Sequence, residues 1–125
     1  MEKCKVIFIK NNKKNMYLHC EIADSIRKKM KGLMNRKILE ENSGMIFPFA
    51  FPFIRFFWMK NVKVPLDIIF INRKKRIIAI YEAPVEKGFF YKQYFSRGFC
   101  KFVIECNIGF CKKNDIKVGD IIKFF

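Results

Sequence analysis

The chain has 125 residues, 51% of them hydrophobic, with 26 Lys and Arg against 11 Asp and Glu and a formal charge of +15. That apolar content excludes wholesale disorder, and one domain spanning residues 1–125 is the expectation. The charge selects no function by itself: it draws polyanions at low salt, and a chain rich in Lys, Ile, Asn and Phe reaches it by composition alone.

In chain order, Cys4–Lys10 reads as a strand carrying Val6, Ile7, Phe8 and Ile9, and Asn11–Asn15 as a polar turn. Met16–Ala23 alternates, with Leu18, Cys20 and Ile22 on one face and Tyr17, His19 and Glu21 on the other. Asp24 reads as the N-cap of a helix on Ile26, Met30, Leu33 and Met34, and Gly32 inside that pattern points to close packing or an early helix end. Gly44–Phe47 is a strand that Pro48 and Pro52 interrupt, and Phe56–Met59 resumes an extended pattern. Leu66–Ile71 and Arg76–Ala83 form a hairpin across the polar link Asn72–Lys75. Pro84–Gly98 is a long connection without a clear period. Lys101–Asn107 is a strand, Gly109–Asn114 one helical turn, Val118–Asp120 a tight turn and Ile121–Phe125 the last strand. About seven to eight strands with little helix between them predict a mainly β fold. The expected form is a compact antiparallel β-sandwich or barrel-like domain with one or two short helices.

Five cysteines, an odd number without a CxxC pair, signal neither a disulfide framework nor a zinc ribbon, so reduced and mostly buried thiols are expected. His19 is the lone histidine, and no nucleophile elbow surrounds Ser25, Ser43 or Ser96. No catalytic constellation, metal-ligand spacing, phosphate loop or cofactor motif is present. The opening run Met1–Cys4 leads directly into a strand pattern, with no signal-peptide core and no long apolar span, so a cytoplasmic location is expected.

Three features stand out as candidate site residues. Asp67 alternates with Ile69 and Ile71, and a carboxylate on an apolar face needs a partner. It is either a strand-end group pinning the preceding loop or a ligand contact. Glu105 shares a face with Lys101, Val103 and Asn107, which reads as a solvated strand face or a second ligand contact. Trp58-Met59-Lys60-Asn61 sets an aromatic plate beside an ammonium and an amide, either a core anchor with a polar turn or a ligand edge.

Several of these segments occur together in one order: Ile22-Ala23-Asp24, Gly32-Leu33-Met34-Asn35-Arg36, Gly44-Met45-Ile46-Phe47, Phe57-Trp58-Met59-Lys60-Asn61, Pro65–Ile71 and Val118-Gly119-Asp120. From about Met16 onward the chain resembles the family called domain of unknown function 192. The resemblance implies a compact β-sandwich or barrel-like domain with a small helical addition, and it supplies no catalytic residue. Members often carry Thr after Lys-Asn, where this chain has Val62.

The leading functional expectation is a domain that binds a small molecule or peptide at a strand-end cleft formed by Trp58, Lys60, Asn61, Asp67 and Glu105. One alternative is a basic surface for nucleic acid, or for an anionic membrane with Phe49, Phe51 and Phe53 as a wedge. Another is an enzyme of unknown reaction.

Overall fold

Nine strands and two short helices are set out along the chain in a computed structural model, which describes residues 2–10 and 14–125. They are β1 (Lys3–Ile9), β2 (Met16–Ile22), α1 (Ile26–Lys31), β3 (Ser43–Phe53), β4 (Phe56–Phe57), β5 (Leu66–Ile71), β6 (Ile77–Ala83), β7 (Tyr94–Phe95), β8 (Cys100–Asn107), α2 (Phe110–Lys113) and β9 (Ile121–Phe124). Residues 11–13 of the expected first turn lie outside the described residues.

Seven strands form one sheet in the order β6-β5-β8-β3-β2-β1-β9, and β4 pairs with β7 in a separate two-stranded ribbon. The sheet curls until its end strands approach: Arg76, just before β6, bridges Ile121 of β9. The mainly β expectation holds, with one correction to its antiparallel form. β2 and β3 run parallel, because residues 23–42 cross over through α1 and return the chain in the same direction.

The hairpin β5–β6, the strand β8, the turn α2 and the final strand fall where the sequence puts them. Three local expectations need correcting. Ser25, not Asp24, caps α1: its Oγ accepts from the Lys28 amide at 3.1 Å, while Asp24 takes the Lys28 ammonium. The helix stops at Lys31, and Ile26 and Met30 stay exposed. Leu33, in the turn beyond, plugs the core instead. β3 continues through both prolines, since β2 covers it only over Ser43–Ile46 and the segment after that is a free edge with a bulge between Pro48 and Phe53. The Pro84–Gly98 connection contains β7, whose two residues are too few to leave a period.

Alternation sorts the core into two clusters on the two faces of the sheet. All seven strands supply one, inside the curl, including Val6, Leu18, Ile46, Ile69, Ile104 and Ile122. The other lies on the β6-β5-β8-β3 half, with Met45, Phe47, Ile68, Phe70 and Val103. It is covered by Leu33, by Met59, Val62 and Val64, and by Tyr94. β5 is therefore buried on both faces. At the crossing of β3 and β8 the backbones are so close that a Cβ on Gly44 would lie 2.5 Å from the Glu105 carbonyl oxygen.

A cavity under the tryptophan loop

The covered face is not fully closed. Between the end of α1, the Phe-rich part of β3 and the β4 loop lies a cavity of about 460 Å³, with Glu105 at its inner end. Its walls are aromatic. Phe57 stands edge-on to Phe47 (ring centres 5.0 Å apart), to Phe49 (6.5 Å) and to Phe70 (5.9 Å). Such edge-to-face contacts fix ring orientation as well as burying area. Trp58 lines the outer part and leans on Phe56 and Tyr91. Lys29, Lys31 and Arg55 also line the cavity.

The register places Glu105 here. On β8 it stands opposite Met45 of β3 and Ile68 of β5, both members of the covered cluster. Of the two expectations for Glu105, the solvated strand face fails: the residue is 3% exposed, because the α1 turn lies over it. It has no hydrogen-bond or ion-pair partner among the described residues. Burial raises its pKa to about 8, so near neutrality the carboxyl is largely protonated and can donate as well as accept a hydrogen bond.

Asp67 goes elsewhere. It sits opposite Cys106, on the inner face of the sheet, and is 1% exposed. Its two oxygens accept the backbone N–H of Gly109 at 3.1 Å and of Cys111 at 2.9 Å. It holds the start of α2 rather than the loop before β5. Burial raises its pKa, and the two amides oppose that rise.

The expected cleft residues therefore separate. Trp58 and Glu105 share the cavity. Lys60 lies 5.5 Å from the Trp58 ring centre without lining the cavity. Asn61 is exposed in a left-handed turn (φ 59°), and its carbonyl accepts the Asn35 amide at 2.8 Å, tying the Trp loop to the turn beyond α1. Asp67 lies on the opposite face of the sheet.

Arg55 was not singled out from the sequence, although it is the first charge after an uncharged run from Asn42 to Ile54. Ser96 fixes its backbone: the Ser96 Oγ accepts the Arg55 amide at 3.1 Å and the Ser96 amide donates to the Arg55 carbonyl at 2.9 Å. The guanidinium lies 3.7 Å from the Phe49 ring centre.

His19 is exposed against Tyr17. All five thiols are free, four of them buried, and no group of three His, Cys, Asp or Glu poised to hold a metal occurs among the described residues. Among those residues no helix is long and apolar enough to cross a membrane.

Two solved structures share this architecture. A crystal structure from Sinorhizobium meliloti 1021, named as a candidate transcription regulator, is 29% identical with a TM-score of 0.90, over 98% of this chain and 94% of that one. A protein of unknown function from Novosphingobium aromaticivorans DSM 12444 is 30% identical with a TM-score of 0.86, over 95% of this chain and 83% of that one. No curated protein matches the chain. The family model described as uncharacterized ACR matches residues 7–124, and the chain belongs to that family, domain of unknown function 192.

Proposed function

We propose that this protein binds a small organic molecule in the cavity between Trp58 and Glu105. One observation carries the reading: a buried carboxyl without a protein partner stands at the inner end of an aromatic-walled cavity of about 460 Å³. The Glu105 oxygens are not among the fully enclosed atoms that lack a partner, so they open on the cavity, where a ligand can bond them. An apolar cavity with few polar anchors is the usual form of a small-molecule site.

Trp58 is the single tryptophan, so its emission reports directly on the cavity. A fragment set of aromatic acids, alcohols and amines should contain members that saturably shift that emission and perturb the Gly32, Leu33 and Trp58 amides in NMR spectra. If no fragment does so at millimolar concentration, the reading fails.

A second reading is a basic surface for nucleic acid or an anionic membrane. The charge of +15, the exposed Phe89 (96%) and Phe90 (94%), and the name given to the S. meliloti relative favour it. Such binding should fall steeply with log salt for nucleic acid, or give co-sedimentation with anionic vesicles. Retention on nucleic acid that does not change with salt, together with no sedimentation, would exclude it. The five unpaired thiols support a reducing compartment such as the cytoplasm.

A further inference from the structure

We infer that the molecule held in this cavity is an organic anion, with a carboxylate or phosphate group at Lys29 and Arg55 and an apolar body lying along Phe57 and Trp58. The inference rests on the cavity reading above and names the class of ligand.

Three cations gather at one residue, two over its ring and one at its carbonyl. Lys29 Nζ lies 4.8 Å and Arg55 Cζ 3.7 Å from the centre of Phe49, and Lys101 Nζ donates to the Phe49 carbonyl at 2.6 Å. None of the three is in an ion pair among the described residues. Asp24 acts on Lys29 through its field, but its carboxylate already takes the Lys28 ammonium at 3.2 Å. Like charges gathered without a counter-ion repel, and an anion placed among them relieves that repulsion.

Arg55 also carries an unfilled donor. Its Nη2 donates to the Phe51 carbonyl at 2.7 Å, while its Nε is buried with no acceptor among the described residues. A guanidinium offers oxyanions a fixed fork of N–H groups, and Nη1, which is neither enclosed nor bonded within the described residues, is the donor left for one. Burial, and then the field of Arg55, lower the pKa of Lys29. A bound anion opposes the effect of that field.

A cationic ligand fits poorly. It would have to pass Lys29, Lys31 and Arg55, and the carboxyl at the inner end, with its pKa raised to about 8, carries little negative charge near neutrality. The protonated Glu105 suits instead the apolar end of an anion, or a hydroxyl on it.

The test uses four probes with one common body: phenylbutyrate, phenylbutyl phosphate, phenylbutanol and phenylbutylamine, titrated against the Trp58 emission of the full chain. The two anions should bind about tenfold tighter than the alcohol or the amine, the order set by a charge-assisted hydrogen bond. Added salt should narrow the gap. Arg55→Met should abolish the anions' advantage over the alcohol, and Lys29→Met should reduce it. If Arg55→Met does not give a folded chain by circular dichroism, Lys29→Met decides. Equal binding of alcohol and anions, or tightest binding by the amine, would overturn the assignment to an anion and leave the cavity reading standing. Failure of all four probes on the folded wild-type chain would remove both.

Discussion

Asp67 and Glu105 are one residue out of register on neighbouring strands, and the sheet sends them to opposite faces. Asp67 stands opposite Cys106, and Glu105 opposite Ile68. Both are almost wholly buried. Inside the curl, two backbone amides fill the oxygens of Asp67. Under the tryptophan loop, Glu105 has no partner among the described residues and borders a cavity. Burial alone therefore says little about the part a carboxyl plays. What separates the two is whether the fold supplies the hydrogen bonds. A satisfied carboxylate is part of the architecture, and an unsatisfied one is left available to something else.

The largest expected effect tests the closed side. Asp67→Ala leaves the buried Cys111 amide and the part-buried Gly109 amide without their acceptor. Each orphaned amide costs about 1–3 kcal/mol, so the loss in urea unfolding should be about 4 kcal/mol. Asp67→Asn keeps one acceptor and should lose less. A loss under about 1 kcal/mol for Asp67→Ala would mean that those bonds do not hold the start of α2, and the contrast would collapse.

The next effect tests the open side through pH. The pKa of Glu105 is raised to about 8 by burial, against an ordinary value of 4.5. Below 4.5 the folded and unfolded chains both hold the proton, and no penalty arises. From there to about 8 the unfolded chain releases it and the folded chain keeps it, so this residue's contribution to stability falls as pH rises, then levels off. Glu105→Gln removes that dependence. The variant should match wild type near pH 4.5 and exceed it at pH 8 by about 2 kcal/mol or more, read from unfolding curves at both pH values. Taking the difference between the two proteins cancels the other carboxyls, Asp67 among them. A difference that does not vary with pH would mean that water reaches Glu105 freely.

These two residues also show how far the sequence could be read. The hairpin β5–β6 was legible because two apolar runs flank a short polar link, which is local information. The period-two rule also told correctly which residues of β8 share a face. It could not tell that the Glu105 face is roofed, because the roof comes from residues 32–34, 59–64 and 94, distant in the chain. In the same way Asp67 was legible as a carboxylate needing a partner, but its partners lie 42 and 44 residues away. The parallel pairing of β2 and β3 depends on a crossover path that no local pattern encodes. Trp58 was found as a bulky aromatic beside polar residues, and Arg55 could have been found as the charge ending an apolar run.

A smaller effect sharpens the boundary between roof and cavity. Gly32 ends α1 at φ 48° and ψ −129°, a conformation that strains residues bearing a Cβ. A Cβ there would lie 3.4 Å from Phe47 Cζ and 3.8 Å from Glu105 Oε1, at the edge of the cavity. Gly32→Ala should cost about 1–2 kcal/mol from backbone strain and weaken every probe that enters the cavity. Unchanged probe affinity would place bound molecules away from the Glu105 end.

The smallest stability effect gives the sharpest contrast. Trp58 is 40% exposed and touches neighbouring rings at 6.0 and 6.4 Å, so Trp58→Ala should cost less than about 1 kcal/mol. Its effect on probes should be large, because the indole forms part of the wall, and with the indole gone it is read by NMR shifts of the Gly32 and Leu33 amides. Asp67→Asn, if folded, should do the reverse: clear destabilisation with probe affinity kept. That crossed pattern would separate the two faces by function. If Trp58→Ala instead unfolds the chain while binding survives in whatever remains folded, the tryptophan loop is a structural clamp and the cavity beneath it a packing defect.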